Sequence, residues 1–186
     1  MGMPAQNVDW TAEMVRALPD DGKRYEVLDG ELFVSPAPSM NHQRVVFLLA
    51  RILDDYVRKH GLGEVFIAPT DVEFSPKRLL QPDVFVIPPT PGPRPQTFSD
   101  VGRLLLAAEA LSTSTARAVR TKKRDILRDE RVPQYWIVDS DRRVIERWTP
   151  DDENPDLLSL EISWQPDHQV PALVIDLPRF FSDALD

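Results

Sequence analysis

The most regular hydrophobic pattern in the chain runs up to His60, where Val45, Leu48, Leu49, Ile52, Leu53, Tyr56 and Val57 keep the spacing of one helical face. Ser39 or Asn41 can cap the start of that helix, and Gly61 ends it. Ahead of it, a short amphipathic helix is predicted over 10–18, then a hairpin with arms at 24–28 and 31–35. The turn between the arms is Asp29-Gly30, and glycine there tolerates the positive φ of a tight hairpin turn. After the long helix the apolar runs shorten to strand length, at 64–68, 71–75 and 83–87.

The run 103–111 (RLLLAAEAL) reads two ways. Leu and Ala favour helix. The run is nevertheless short and strongly apolar, and Ser112-Thr113-Ser114-Thr115 behind it is a cluster of helix caps. A buried strand feeding straight into a helix over 116–130 accounts better for that punctuation. Pro133 follows, then strands at 134–139 and 143–149 about a turn at 140–142, a weaker strand at 157–164 and a terminal helix near 178–185. Five of the eight residues from 88 to 95 are proline, so this stretch is an extended connection rather than helix or paired strand. The order of elements predicts an α/β (α+β) arrangement, a mixed central sheet flanked by helices, preceded by an N-terminal helix and hairpin.

Composition narrows the class. A chain of 186 residues, 42% apolar and 28% charged, fits one soluble domain over 1–186. There is no cysteine, which excludes disulfides, thiolate metal sites and cysteine nucleophiles and fits a reducing cytoplasm. The longest apolar stretch, from Val45 to Leu53, is cut by Arg51 and is too short to span a bilayer. Residues 1–6 lack the basic and apolar regions of a signal peptide, so neither membrane insertion nor export is expected. A net charge of −8 argues against a protein that grips phosphates over its whole surface. A nuclease that neutralises phosphate with metal ions tolerates that charge better than a DNA-binding module without enzymatic activity.

Three charged residues stand in apolar surroundings. Asp83 follows Gln81-Pro82 and opens an apolar strand, where it is either a turn residue or a site carboxylate. Glu109 is the only charged residue between Leu104 and Thr115, and a carboxylate buried there needs a partner or a metal. Lys123 shares a helical face with Ala116, Val119, Ile126 and Leu127, while Arg117, Thr121, Arg124 and Arg128 supply the solvated face. It either snorkels to water or meets a carboxylate. Two carboxylates and a lysine form a chemical set. Oxygen ligands suit Mg²⁺, which could polarise a phosphate and acidify an attacking water, with Lys123 orienting that water or neutralising developing charge. The three scattered histidines, His42, His60 and His168, do not suggest a zinc-type site.

At this point the chain resembles the large bacterial restriction-endonuclease family of the PD-(D/E)xK superfamily. The resemblance is carried by Tyr25-Glu26-Val27-Leu28-Asp29-Gly30-Glu31-Leu32, by Pro38-Ser39-Met40-Asn41-His42-Gln43, by Gln81-Pro82-Asp83, by Glu109-Ala110-Leu111-Ser112-Thr113-Ser114-Thr115, by Lys123-Arg124 and by Val132-Pro133-Gln134-Tyr135-Trp136-Ile137-Val138-Asp139. It implies a restriction-endonuclease-like αβββαβ core over about 24–149 and a strand at 103–111. It further implies that Asp83 and Glu109 bind the metal, that Glu31 is an additional acid near it, and that Lys123 is the lysine, moved to the helix after Glu109. His42 and Gln81 become candidate substrate contacts, although a histidine at a helix start can equally bond nearby backbone. The chain departs from the family where Thr113 replaces a usual proline and Val119 a frequent acid.

These readings converge on a Mg²⁺-dependent endonuclease, with Mn²⁺ as a possible substitute, that hydrolyses DNA phosphodiester bonds and acts as a homodimer. The alternative is a catalytically weak nucleic-acid-binding or regulatory relative that keeps the fold. Asp83, Glu109 and Glu31 around one metal position would repel one another, so neutralising Asp83 is expected to stabilise the metal-free protein.

Overall fold

The computed structural model describes residues 8–112 and 115–186. The leading segment weighed as a signal peptide and two of the capping residues, Thr113 and Ser114, therefore lie outside the described residues. A short helix α1 (Ala12–Arg16) opens the chain, followed by the hairpin β1 (Arg24–Leu28) and β2 (Glu31–Ser35). The long helix α2 (Met40–His60) begins at Ser39, whose hydroxyl accepts from the His42 amide, and ends at Gly61 with φ 65°.

Six strands form the main sheet: β3 (Glu64–Ile67), β6 (Val84–Ile87), β7 (Leu106–Ala110), β8 (Tyr135–Asp139), β9 (Val144–Trp148) and β10 (Asp156–Leu158), in spatial order β10-β9-β8-β7-β6-β3. The β7–β8 pair is parallel, because a helical crossover returns the chain to the end of the sheet from which β7 started. That crossover comprises α3 (Ala116–Ala118), a π-helical turn (Val119–Lys123) and α4 (Arg124–Asp129). The ambiguous 103–111 run is thus a strand.

Three features differ from the sequence expectation. The strand near 71–75 does not join the main sheet. It forms β4 (Val72–Ser75), which pairs with an unforeseen β5 (Arg78–Leu80), and this hairpin joins β1 and β2 in a second sheet ordered β2-β1-β5-β4. A run of three residues is too short for its own periodicity to show. The single strand expected over 157–164 is two, β10 and β11 (Glu161–Trp164), and β11 pairs with a further strand, β12 (Leu173–Asp176). The helix expected as one regular piece contains the π turn, a local widening that often marks functional positions.

Alternation along the strands sends side chains to opposite faces of the main sheet. On one face Val84, Val86, Leu106, Ala108, Trp136 and Val138 pack against α2 and against α5 (Leu177–Leu185). On the other, Phe85, Ala107, Tyr135 and Ile137 pack with Val119, Ile126 and Leu127 of the crossover and with Leu28 and Leu80 of the second sheet. Asp83 and Glu109 have the parity of Phe85 and Ala107, so they belong to this second face.

The C-terminal helix is part of the main core, since Phe181 is fully buried in it. Phe181→Ala should therefore cost on the order of 3–5 kcal/mol. Phe47→Ala, on the solvent side of α2 where the side chain is 69% exposed, should stay within about 0.5 kcal/mol of wild type. Urea denaturation of the two variants measures both.

Candidate active site

Asp83 lies at the lip of β6, directly after Gln81-Pro82. Its carboxylate is buried and surrounded by donors. Arg24 Nη1 donates to Oδ1 at 2.8 Å. Oδ2 lies 3.0 Å from His42 Nε2 and accepts from the Ala110 amide at 3.0 Å. Burial opposes ionisation here, but the hydrogen bond and charge of His42, then Arg24, outweigh it and hold Asp83 well below the usual carboxylate range. The expected gain in stability on neutralising Asp83 is thus corrected: its charge does oppose that of Glu109, but Arg24 compensates it, and a backbone amide and His42 fill its second oxygen.

Glu109 stands beside it. Val84 pairs with Ala108 in the antiparallel β6–β7 ladder, so the register carries Asp83 opposite Glu109. Lys123 Nζ reaches Glu109 Oε1 at 2.7 Å and Glu26 Oε1 at 2.8 Å. Lys123 is 1% exposed, so the lysine meets carboxylates and does not snorkel. Burial, only partly offset by Lys123 and reinforced by the charges of Asp83 and Glu26, raises the Glu109 carboxyl to about 8. Adjacent carboxyls therefore have opposite tendencies, a common arrangement where two acids take different roles.

The cleft over this pair has a volume of about 290 Å³, and its lining includes Arg24, His42, Asp83, Glu109, Ser112 and Lys123. A larger groove of about 750 Å³, floored by Phe66, Phe74, Phe85 and Phe98, holds none of these buried charges. Chemistry, not size, marks the smaller cleft.

The structure separates two expected residues from this cluster. Glu31 is exposed and ion-paired with Lys122. It lies on the same side of the hairpin as Phe33 but at the turn end, opposite Leu28, where the strand has run past the cleft. Gln81 does not line the cleft; its side-chain amide donates to Asp71 Oδ1 at 2.9 Å. His42 does line it, and its ring engages Asp83 instead of nearby backbone. Two residues of the cluster were missed. Glu26 is the lone carboxylate on the inward face of β1, which it shares with Arg24 and Leu28, so an acid between two inward positions was the signal that could have found it. Arg24 carried no such signal, because an arginine at a strand start is ordinary.

Among the described residues no group of three or more acidic or histidine side chains is drawn together as a metal cage. The donors present are two hard carboxylates in a polar cleft, and they suit a cation that keeps much of its water, as Mg²⁺ does.

The Uma2 family model, described as "Putative restriction endonuclease", matches residues 12–178. The family match and the fold together thus define a protein of the restriction-endonuclease-like class. The chain belongs to the Uma2 family. No curated protein matches it. The crystal structure of a putative nuclease belonging to DUF820 from Anabaena variabilis is similar, with a TM-score of 0.72 and 18% sequence identity over 94% of this chain and 99% of that one. At that identity the likeness establishes the shared fold.

Asp83→Asn is expected to lower stability by roughly 3 kcal/mol at neutral pH, because it removes the carboxylate charge that faces the part-buried Arg24 guanidinium. The folded carboxyl titrates below its ordinary value of 3.8. The contribution is therefore fully present above that value and is lost as pH falls towards the depressed one. Urea titrations of wild type and Asp83→Asn between pH ~6 and ~3 should show a constant gap that begins to narrow only below the ordinary value of 3.8.

Proposed function

We propose that the protein is a divalent-metal-dependent endonuclease that hydrolyses DNA phosphodiester bonds. The observation that carries this reading is the pair of carboxylates on neighbouring strands, Asp83 and Glu109, lining one cleft with a lysine ammonium and an arginine guanidinium beside them.

Asp83 and Glu109 would hold Mg²⁺ or Mn²⁺. Held there, such an ion would supply Lewis-acid polarisation of the scissile phosphate and would acidify the attacking water. The chain's own groups do the rest. Arg24, held by Asp83 and by the Gln81 carbonyl at 2.8 Å, fixes the carboxylate in its ionised form. His42 braces the other oxygen. Lys123 commits two donors to carboxylates and can direct its third at the water or at negative charge developing on the phosphate. A surface carrying net −8 disfavours broad phosphate contact, so the affinity for DNA should depend on the cation. Cutting both strands of a duplex is simplest with two symmetric sites, so a homodimer forms part of this reading.

The test is incubation of purified protein with supercoiled plasmid and Mg²⁺ or Mn²⁺, against a chelator control. Metal-dependent nicking or cutting is expected, with Asp83→Asn and Glu109→Gln each reducing the rate by about a hundredfold or more. Lys123→Met should lose most cleavage yet keep metal affinity, because an ammonium is no ligand for Mg²⁺. DNA binding without cleavage would point instead to a catalytically weak relative. Robust cutting by both acid variants would remove the site assignment.

Glu109 adds a pH dependence. Its raised carboxyl must lose a proton to bind a cation, so divalent-metal affinity should strengthen as pH rises towards about 8 and then level off. Calorimetric titration with Mg²⁺ across that range measures it, and Glu109→Gln should flatten the profile.

A further inference from the structure

Behind the two cleft carboxylates lies a third, Glu26, which is wholly buried and does not line the cleft. A carboxylate at such depth is costly unless its charge is matched and its oxygens are bonded. Glu26 meets only part of that requirement. Its Oε1 accepts from Lys123 Nζ at 2.8 Å and from the Gln81 backbone amide at 2.7 Å, while Oε2 has no hydrogen-bond partner. Both bonds point at the machinery: one at the lysine, the other at the segment that leads through Pro82 into Asp83.

Lys123 divides its attachment between Glu26 and Glu109. Of the two, only Glu109 faces the cleft, so only Glu109 can turn to a cation. When it does, Lys123 loses much of one counter-charge. An ammonium buried to this degree with no other partner would be driven out of the core or would follow Glu109. Glu26 lies where neither cation nor substrate can reach it.

We propose that Glu26 is a positioning residue whose charge is the standing partner of Lys123, holding the lysine in place when Glu109 engages a cation. Its bond to the Gln81 amide ties that same anchor to the backbone before Asp83, so one carboxylate sets the lysine and the first metal-binding acid relative to each other. The anchoring of Lys123 stands on geometry alone; its consequence for cleavage rests on the nuclease reading above.

Two measurements separate these parts. The first needs no activity. Thermal melts in chelator compare wild type, Glu26→Gln, Lys123→Met and the double variant. Lys123→Met strands two buried carboxylates, and adding Glu26→Gln removes one of those charges, so the double variant should melt above Lys123→Met. A double variant no more stable than Lys123→Met, folded or not, overturns the anchoring.

The second measurement is single-turnover cleavage of supercoiled plasmid at saturating Mn²⁺. Glu26→Asp keeps the charge but shortens the reach, whereas Glu26→Gln keeps the shape and removes the charge. A positioning charge predicts that Glu26→Asp retains the faster rate. Glu26→Gln should fall about tenfold or more while its half-saturating Mn²⁺ concentration stays within about threefold of wild type. The reverse order, or a loss confined to the metal requirement, overturns the positioning role. A wild type that cuts no plasmid under any metal counts against the nuclease reading, and the melting cycle then decides the anchoring by itself.

Discussion

The site depends on a lysine ammonium buried at the floor of the cleft. Lys123 Nζ sits between Glu26 of β1 and Glu109 of β7, so three separate parts of the chain meet at one nitrogen. Buried ion pairs of this kind add little net stability over well-packed apolar residues of the same volume, but removing one partner is strongly destabilising. The interaction therefore acts as a constraint. Through it the hairpin sheet, the main sheet and the π turn are tied together at one nitrogen.

Around that constraint the two cleft acids are held differently. Asp83 is surrounded by donors from three sources, the Arg24 guanidinium, the His42 ring and the Ala110 amide, and its charge is already compensated. Glu109 lies deeper against apolar side chains, and burial opposes its ionisation. This division follows from position: Asp83 stands at a strand lip beside loop donors, whereas Glu109 is inside a strand whose other residues are leucine and alanine.

The remaining architecture serves to deliver these groups. Helix α2 is held on one face of the main sheet by its apolar stripe, yet its first turn reaches past the sheet so that His42 meets Asp83. The crossover connection packs on the opposite face through Val119, Ile126 and Leu127 and carries Lys123 among them. On the same helix, Arg120 stays half-exposed and pairs with Asp139 and Glu146 on β8 and β9, which ties the crossover to the sheet on the other side of the site.

Much of this was legible in the sequence because it is local. Helix α2 with its serine and glycine caps, the first hairpin and the strand bearing Asp83 announce themselves through spacing and turn chemistry, whereas the run bearing Glu109 read as helix or strand until its cap cluster and the family resemblance favoured strand. Glu109 and Lys123 also stood out, because a lone charge in an apolar run is conspicuous without any partner in view. Tertiary structure decided what depends on partners distant in the chain. Strand β5 exists because β1 and β4 are there to bond its backbone, not because three residues prefer a strand. Glu31, an acid at a suggestive place in a motif, pairs with Lys122 at the surface because the hairpin has already run past the cleft, while Glu26, five residues earlier, fills the position beside Lys123. Sequence pattern determined which residues had to be buried; the packing of two sheets and a helix decided which charges they would meet there, since a buried charge takes its partner from the fold and not from its neighbours in the chain.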